Sequence, residues 1–247
     1  MNAPRETWIL LRGLARENGH WGSFPAALAR NFPAAKILPL DSPGNGLRWR
    51  ERSPLTVRET MEAVRAQALR ECAPGSVLHV LALSLGGMIA AEWMAAYPGE
   101  IKKAILVNSS LRGLSPFWKR LRPEAWLTFF LLAVCPVMAW REALILGLIS
   151  NRRDHGLLPA WIELQRERPT TLGNAIRQLL AAARFSAPPP PTAAKVKILG
   201  SQGDRLCHWR CSEAIASHWH ADLRLHPNAG HDLPVDDSAW LLEQLRG

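Results

Sequence analysis

Short apolar runs alternate along most of the chain with longer segments in which apolar residues recur at helical spacing. The short runs contain few polar residues, which is typical of strands buried on both faces of a sheet. Strands that alternate with helices predict βαβ units, a parallel sheet and the α/β class of fold. Six strands are predicted at residues 8–11, 37–40, 77–83, 104–107, 196–199 and 223–225, and helices near residues 22–31, 57–72, 86–97, 212–218 and 238–245.

One long segment interrupts this alternation. Between about residues 111 and 186 no strand pattern is found, and helical spacing extends over residues 123–150, 158–168 and 171–185. The run Pro188–Pro191 closes the segment, because consecutive prolines continue neither a helix nor a central strand. We therefore predict that residues 1–110 and 192–247 form an α/β core and that residues 111–191 are inserted into it as a helical cap.

The most apolar part of the predicted cap spans residues 126–149. Pro136 and the charged pair Arg141-Glu142 interrupt it, and both interruptions argue against a membrane span. We favour helices that pack against the core. The wall of a hydrophobic substrate site and a surface in contact with lipid remain open alternatives. The aromatic residues that would form such a wall are Trp126, Phe129 and Phe130.

The composition is that of a folded globular protein, with 48 % apolar and 21 % charged residues. The net charge is +9, but the excess of arginine is spread along the sequence. A nucleic-acid-binding protein would show a denser basic stripe or a known binding module, so no nucleic acid partner is expected. A solvated surface is the favoured explanation of the charge, and an acidic partner or an anionic membrane surface remains open.

Four cysteines in 247 residues do not predict a disulfide framework. The polar residues 1–6 lead directly into the first apolar run, without the basic region or the cleavage site of a secretory leader. No uninterrupted apolar run reaches the ~18 residues that a membrane span requires. The expected location is therefore the cytoplasm, without integral membrane association.

The most informative motif is a serine between a predicted strand and a predicted helix. Ser84 ends the apolar run, and Gly86 and Gly87 follow it closely. A serine at such a sharp turn requires small neighbours two positions away on either side, and Ala82 and Gly86 meet that requirement. The turn places the hydroxyl at the carboxyl edge of the sheet and aims a helix N-terminus at it, which stabilises negative charge on a bound oxygen. A serine that only caps the helix is the alternative.

A nucleophilic serine requires a base, and the base requires a carboxylate that orients it. Asp204 follows the fifth predicted strand, and His231 follows the sixth. Loops at the carboxyl ends of parallel strands open on one edge of the sheet, so Ser84, Asp204 and His231 are expected to meet there. Asp232 is adjacent to His231 and should point elsewhere, so Asp204 is the preferred acid.

With serine, aspartate and histidine in this order, the chain resembles the α/β-hydrolase superfamily along nearly its whole length. Within the superfamily it is similar to small capped bacterial carboxylesterases, such as pimeloyl-acyl-carrier-protein methyl ester esterase. The cap is the least similar part. The residues that carry the resemblance are Leu11–Leu14, Leu40–Gly46, Ala82–Gly87, Asp204 and Gly230-His231.

The resemblance implies an α/β-hydrolase fold that lacks the first family strands, with a mostly parallel sheet of about six strands and helices on both faces. It also implies an oxyanion hole made by the backbone N–H groups of Leu14 and Leu85. Arg12 stands where the family usually has a histidine that supports this loop. We favour the same supporting role for Arg12, and a contact with an anionic group of the substrate remains open.

The resulting hypothesis is a serine hydrolase that cleaves carboxylic esters through an acyl-enzyme intermediate, with Ser84 as nucleophile, His231 as base and Asp204 as the orienting acid. The apolar cap predicts a short-to-medium hydrophobic acyl group. A thioesterase, a lactonase, a carbon–carbon bond hydrolase or a non-catalytic ligand-binding protein would fit the same residues. The expected partner is a small-molecule ester, and an acyl carrier protein docked on the basic cap is an open alternative.

No cofactor is implied, because no glycine-rich phosphate loop opens a helix. Cys207, His208 and Cys211 resemble metal ligands, but they fall within five positions and no second ligand pair accompanies them. We therefore predict no metal site.

Overall fold

A computed structural model describes residues 6–152 and 154–246. Within these ranges six strands form a single sheet: β1 (Glu6–Leu11), β2 (Ala35–Leu40), β3 (Val77–Leu83), β4 (Ile101–Val107), β5 (Lys195–Ser201) and β6 (Asp222–His226). Their order across the sheet is β2-β1-β3-β4-β5-β6, and every neighbouring pair is parallel. The predicted α/β architecture with six strands is confirmed.

Eleven α-helices accompany these strands in the same ranges. They are α1 (Phe24–Asn31), α2 (Val57–Glu71), α3 (Leu85–Ala96), α4 (Phe117–Arg120), α5 (Pro123–Val134), α6 (Met138–Ile149), α7 (Leu158–Glu167), α8 (Leu172–Arg184), α9 (Arg210–Trp219), α10 (Leu233–Asp236) and α11 (Ser238–Arg246). Thr56 and Thr171 begin α2 and α8, because each side chain accepts a hydrogen bond from an N–H of the first turn. Pro136 lies between α5 and α6, so the apolar stretch at residues 126–149 is divided between two helices. None of the described helices is long and apolar enough to cross a membrane.

Alternating side chains along β1 divide the apolar core between the two faces of the sheet. Ile9 and Leu11 belong to a cluster with α2, α3 and α9. Trp8 and Leu10 belong to a second cluster with α1 and α11. Helices therefore cover both faces of the sheet, as the apolar strands predicted.

Five strands begin one to three residues earlier than predicted, and lysines lie near the start of β4 and β5. β4 includes Lys103, and β5 begins at Lys195 and includes Lys197. The Nζ atoms of Lys103 and Lys197 donate to the carbonyl groups of Leu245 and Gln244, each at 2.9 Å. These carbonyls belong to the last turn of α11, where a helix leaves carbonyls unpaired and favours positive charge. Hydropathy alone does not reveal such a role for a lysine in a strand.

Residues 111–191, the predicted cap, contain α4–α8. The described part of this segment contains no strand, apart from one isolated bridge between Arg112 and Ser186. An apolar cluster around Leu146 and Trp161 packs α5, α6 and α7 together, and it is distinct from the two clusters on the sheet. The boundaries of the cap stay a prediction, and the name cap is kept for residues 111–191.

Buried polar contacts join the cap to the loops at the carboxyl edge of the sheet. The Nη1 atom of Arg16 lies 2.7 Å from Oε2 of Glu142 on α6, and both side chains are buried. Gln178 on α8 donates to the Asn45 side chain at 3.0 Å and accepts from the Ala15 N–H at 2.9 Å. The cap is therefore held over this edge by specific pairings in addition to apolar contacts.

Candidate active site

Ser84 lies at a sharp turn between β3 and α3. Its backbone has φ 57° and ψ −117°, which is a strained conformation for a residue with a side chain. Two hydrogen bonds of 2.9 Å hold the turn: the Ser84 N–H donates to the Val107 carbonyl, and the Ser109 hydroxyl donates to the Ser84 carbonyl. The turn has the form of a nucleophile elbow.

Close packing of backbone explains the small residues around Ser84. A Cβ atom on Gly86 would lie 2.5 Å from the carbonyl oxygen of Leu11, and one on Gly13 would lie 3.0 Å from the Cβ of Ser84. The loop after β1 therefore packs directly against the serine. A larger residue at position 86 would require this loop to move.

The structure brings Asp204 and His231 together. The Nδ1 atom of His231 lies 2.7 Å from Oδ2 of Asp204, and the two side chains are 6 % and 1 % exposed. The other Asp204 oxygen accepts hydrogen bonds from the N–H groups of Leu206 and Cys207 at 2.7 and 2.9 Å. Both carboxylate oxygens are thus engaged, which orients the imidazole ring. Ser84 and His231 line the same cavity.

Asn108, which the sequence reasoning missed, holds the backbone of the histidine loop. Its Nδ2 atom donates to the His231 carbonyl at 2.9 Å, and its Oδ1 atom accepts from the Ser201 N–H at 2.8 Å. Asn108 has φ 47°, a left-handed conformation that asparagine tolerates better than most residues. Its place directly after β4, at the edge that carries Ser84, is the one signal that could have identified it.

Asp236, also missed, joins the histidine loop to the end of α6. Its Oδ2 atom accepts from the Gly230 N–H at 2.5 Å and from the Asn151 N–H at 2.9 Å. Its Oδ1 atom accepts from the Ser150 hydroxyl at 2.5 Å. Ser150 and Asp236 are 86 residues apart in the chain, so no local pattern could predict this contact.

Arg12 makes a buried two-point ion pair with Asp232. The Nη1 and Nη2 atoms of Arg12 lie 3.0 and 2.5 Å from the two oxygens of Asp232, and the two side chains are 2 % and 1 % exposed. The guanidinium also lies over the Trp21 ring, 4.8 Å from its centre. The pair links the loop after β1 to the loop of His231, which favours the supporting role for Arg12. Asp232 faces Arg12, in agreement with the choice of Asp204 as the partner of His231.

Leu14 and Leu85 are the residues whose backbone N–H groups are predicted to form an oxyanion hole. Leu85 is the first residue of α3, where a helix leaves its N–H groups without intrahelical acceptors. Within the described ranges neither N–H donates a hydrogen bond to another residue. Both residues line a cavity that contains Ser84 and His231. The oxyanion hole at Leu14 and Leu85 stays a prediction, and it requires both N–H groups to be free to donate to a bound oxygen.

Two cavities meet at Ser84 and His231. The larger has a volume of about 480 Å³ and extends between α5 and α8. The smaller, of about 370 Å³, extends from Leu85 towards α4 and the end of α8. Phe129 lines both cavities and Phe130 lines the larger one. Trp126 lines neither, because it lies at the cap surface and stacks on Phe117 with ring centres 6.3 Å apart.

A buried charged cluster lies beside the larger cavity, which Arg12 and Arg16 line. Burial, together with the Arg16 and Arg12 guanidinium groups, lowers the pKa of His20 well below its usual value, so this ring stays neutral. Burial raises the pKa of Glu17 to about 7, against the opposing charge of Arg168. Glu17 is therefore a titratable group inside the fold near neutral pH.

The cysteines of the rejected metal motif lie beside the smaller cavity. Cys207 lines it, and the neighbouring Cys211 side chain and burial raise the pKa of the Cys207 thiol well above its usual value. In the part of the chain that the structure describes, no group of three or more His, Cys, Asp and Glu side chains could hold a metal ion.

Residues 8–244 match the α/β-hydrolase family, and the chain belongs to that family. The recognition made from the motifs is thereby confirmed at the level of the superfamily. Over 72 residues the chain is 39 % identical to the homoserine O-acetyltransferase of Thermobifida fusca strain YX. That match covers 29 % of this chain and 19 % of the acetyltransferase, so the chain spans about a fifth of the length of this relative.

Solved structures resemble the chain over its whole length. The putative non-heme bromoperoxidase BpoC of Mycobacterium tuberculosis H37Rv superposes with a TM-score of 0.74 at 18 % identity, covering 99 % of this chain and 92 % of that one. The enol-lactonase of Burkholderia xenovorans LB400 superposes with a TM-score of 0.73 at 16 % identity, covering 100 % and 91 %. At these identities the likeness establishes the fold alone.

Proposed function

We propose that the protein is a serine esterase in which Ser84 is the nucleophile, His231 the general base and Asp204 the group that orients the base. The observation that carries this proposal is the meeting of a serine at a strained elbow and a carboxylate-bound histidine in one cavity. A serine hydroxyl is a weak nucleophile on its own, and a paired histidine activates it. A serine that only capped α3 would not need the His231 ring that Asp204 holds in the same cavity.

In the proposed reaction the Ser84 oxygen attacks the ester carbonyl and His231 takes the hydroxyl proton. The carbonyl oxygen becomes negative and receives hydrogen bonds from the N–H groups of Leu14 and Leu85, worth about 3 kcal/mol each in related sites. His231 returns its proton to the leaving alcohol, which leaves an acyl-enzyme on Ser84. Water, activated by the same histidine, then releases the acid.

The two cavities support a substrate with an apolar group on each side of the ester bond. Both cavities reach Ser84, and Phe129 lies on the wall of each. We propose that the acyl group occupies one cavity and the alcohol group the other. Each methylene buried there would contribute about 0.8 kcal/mol. This arrangement favours short-to-medium hydrophobic acyl esters over acetate.

A fluorophosphonate probe tests the nucleophile, because it modifies an activated serine and leaves an inert one unmodified. We expect stoichiometric labelling of the wild-type chain, loss of labelling in Ser84→Ala, and retention in Ser110→Ala. Ser110 is a matched control, because it lines the smaller cavity. Labelling that persists in Ser84→Ala would overturn the assignment. A wild-type chain that is never labelled would favour a non-catalytic binding protein.

A panel of p-nitrophenyl esters of graded acyl length, with thioesters and lactones alongside, tests the substrate class. The proposal expects the highest kcat/KM among medium-length esters. A higher kcat/KM for thioesters or lactones would leave the roles of Ser84, His231 and Asp204 in place, because the same triad performs those reactions. It would overturn the proposal that carboxylic esters are the substrates.

A further inference from the structure

The cap carries most of the large apolar side chains that the protein exposes. Eleven of the fourteen such side chains in the described ranges lie between residues 117 and 180. On α5 they fall at positions 126, 127, 130 and 134, and on α8 at 172, 176 and 180, which is the spacing of one helix face in each case. We use the name cap face for the exposed apolar side chains of α4, α5, α6 and α8. The most exposed are Trp140, Leu127, Phe117 and Phe130.

The cap face continues into the two cavities that contain Ser84. Phe130, Leu172 and Ile176 are exposed and also line the larger cavity. Phe117 and Leu180 are exposed and also line the smaller one. An apolar molecule that leaves a surface in contact with the cap face would therefore reach Ser84 without crossing water.

The segment that carries the cap face is also the most basic part of the chain. Residues 111–191 include 11 Lys and Arg residues and 5 Asp and Glu residues, so they hold most of the net charge of +9. Two of these cations adjoin exposed tryptophans, since Lys119 follows Trp118 and Arg141 follows Trp140. Exposed aromatic rings beside lysine and arginine are typical of residues that lie at the interface between a bilayer and water.

We propose that the cap face docks on the surface of an anionic lipid bilayer, with the mouths of both cavities turned towards the lipid. The negative potential of such a surface complements the basic cap, and the interfacial region accepts the aromatic and aliphatic side chains. A second copy of the chain fits this face less well, because two faces with the same positive excess repel each other. The docking does not depend on the proposed esterase activity. The delivery of lipid-soluble esters to Ser84 rests on that proposed activity.

Vesicle flotation measures the docking. The wild-type chain should float with vesicles of phosphatidylglycerol and phosphatidylcholine in equal parts, and much less with vesicles of phosphatidylcholine alone. High salt should weaken the first interaction, because it screens charges at a surface. Wild-type chain that floats with neither kind of vesicle at low salt overturns the proposal.

Exposed side chains outside the proposed site allow a sharper test. Trp140→Ser and Leu127→Ser should each weaken binding to the mixed vesicles about tenfold, because each removes a large apolar group from the interface. Lys119→Glu should weaken binding to the mixed vesicles and leave binding to phosphatidylcholine unchanged. Leu47→Ser is the matched control, since Leu47 is 77 % exposed and lies outside the cap. All four variants should hydrolyse a water-soluble ester at the wild-type rate.

Two results would overturn the docking. The first is that Leu47→Ser weakens binding as much as Trp140→Ser does. The second is that the wild-type chain is a dimer and Trp140→Ser converts it to monomers, because the cap face would then be an interface between copies. The outcome is separable from that of the proposed function. Vesicle binding without ester turnover would contradict the esterase alone, and turnover without vesicle binding would contradict the docking alone.

Discussion

The core and the cap differ in how many large apolar side chains they leave exposed. In the described part of the core only Leu47, Leu69 and Val77 are large, apolar and exposed, whereas the cap exposes eleven such residues. The cap also buries polar side chains where it meets the core, among them Glu142 and Gln178. The core thus covers nearly all of its large apolar side chains. The cap is held to the core by apolar contacts and by buried polar pairings, and it leaves many of its own apolar side chains uncovered.

The core positions the residues of the candidate site, and the cap forms the walls of the cavities above them. Apolar packing on both faces of the sheet holds the strands, and the loops at their carboxyl ends then place Ser84, Asp204 and His231 with little freedom. The cap contributes the walls of the cavities above them, and its apolar surface is available to substrates or to lipid. Substitutions in the core loops should therefore change rate or stability, and substitutions in the cap should change selectivity or docking.

His231→Ala should lower the rate about as much as Ser84→Ala, and more than any other core substitution. Loss of the base should lower kcat for a p-nitrophenyl ester by at least about 10³-fold, because the serine and histidine act as a unit. The melting temperature should change little, which circular dichroism would verify. His218→Ala is the control, because His218 is exposed on α9 and lines neither cavity that reaches Ser84. Equal rates for His231→Ala and wild type would remove the base from the proposal.

Arg12→Met should lower the free energy of unfolding by about 3–5 kcal/mol, because it leaves Asp232 buried without its partner. Urea denaturation of Arg12→Met, Asp232→Leu and the double variant measures the coupling. We expect the double variant to recover part of the loss, since it removes both charges. Strictly additive losses would show that the pair is not coupled.

Asp204→Asn should lower kcat strongly, because His231 loses the carboxylate that orients it, whereas the free energy of unfolding should change less than in Arg12→Met.

Glu17→Gln should change the pH dependence of stability. Burial raises the pKa of Glu17 from 4.5 to about 7, so between these values the folded chain binds more protons than the unfolded chain. The contribution of protonated Glu17 to the free energy of unfolding is therefore present below pH 4.5 and is lost as the pH rises towards 7. Glutamine cannot ionise, so the variant should gain on the order of 1–3 kcal/mol relative to wild type at pH 8. Urea denaturation at pH 5 and pH 8 measures the difference in free energy of unfolding between the variant and the wild type. Glu163→Gln is the control, because Glu163 is exposed. Equal differences at both pH values would contradict the prediction.

Phe129→Ala should change the activation free energy least of these substitutions, and the change should depend on the length of the acyl group. Removal of the ring enlarges both cavities, so the preferred acyl length should increase. Each added methylene would gain about 0.8 kcal/mol, roughly fourfold in kcat/KM. Trp126→Ala is the matched control, because Trp126 lies on the same helix and lines neither cavity. The measurement is kcat/KM over graded acyl lengths for folded variants. Uniform losses at all lengths would show that Phe129 only packs the cap.

The sequence predicted the sheet well because the strands are apolar on both faces and helices separate them. It predicted all six strands, and it missed short stretches at their ends, most of them polar, as at Lys103 and Lys195. The short helices α4 and α10, of four residues each, were missed because one turn carries no periodicity. Asn108 and Asp236 were missed for another reason. Each acts through hydrogen bonds to loops far away in the chain.

The sequence by itself determined the order of the elements, the elbow at Ser84 and the loops that bring Asp204 and His231 to one edge of the sheet. Those properties depend on local patterns of apolar, small and turn-forming residues. Only the tertiary structure decided that Arg12 pairs with Asp232, 220 residues away, and that Trp126 lies on the surface while Phe129 lines the cavities. Which face of a cap helix meets a cavity depends on packing between distant segments, and hydropathy along one segment does not contain that information.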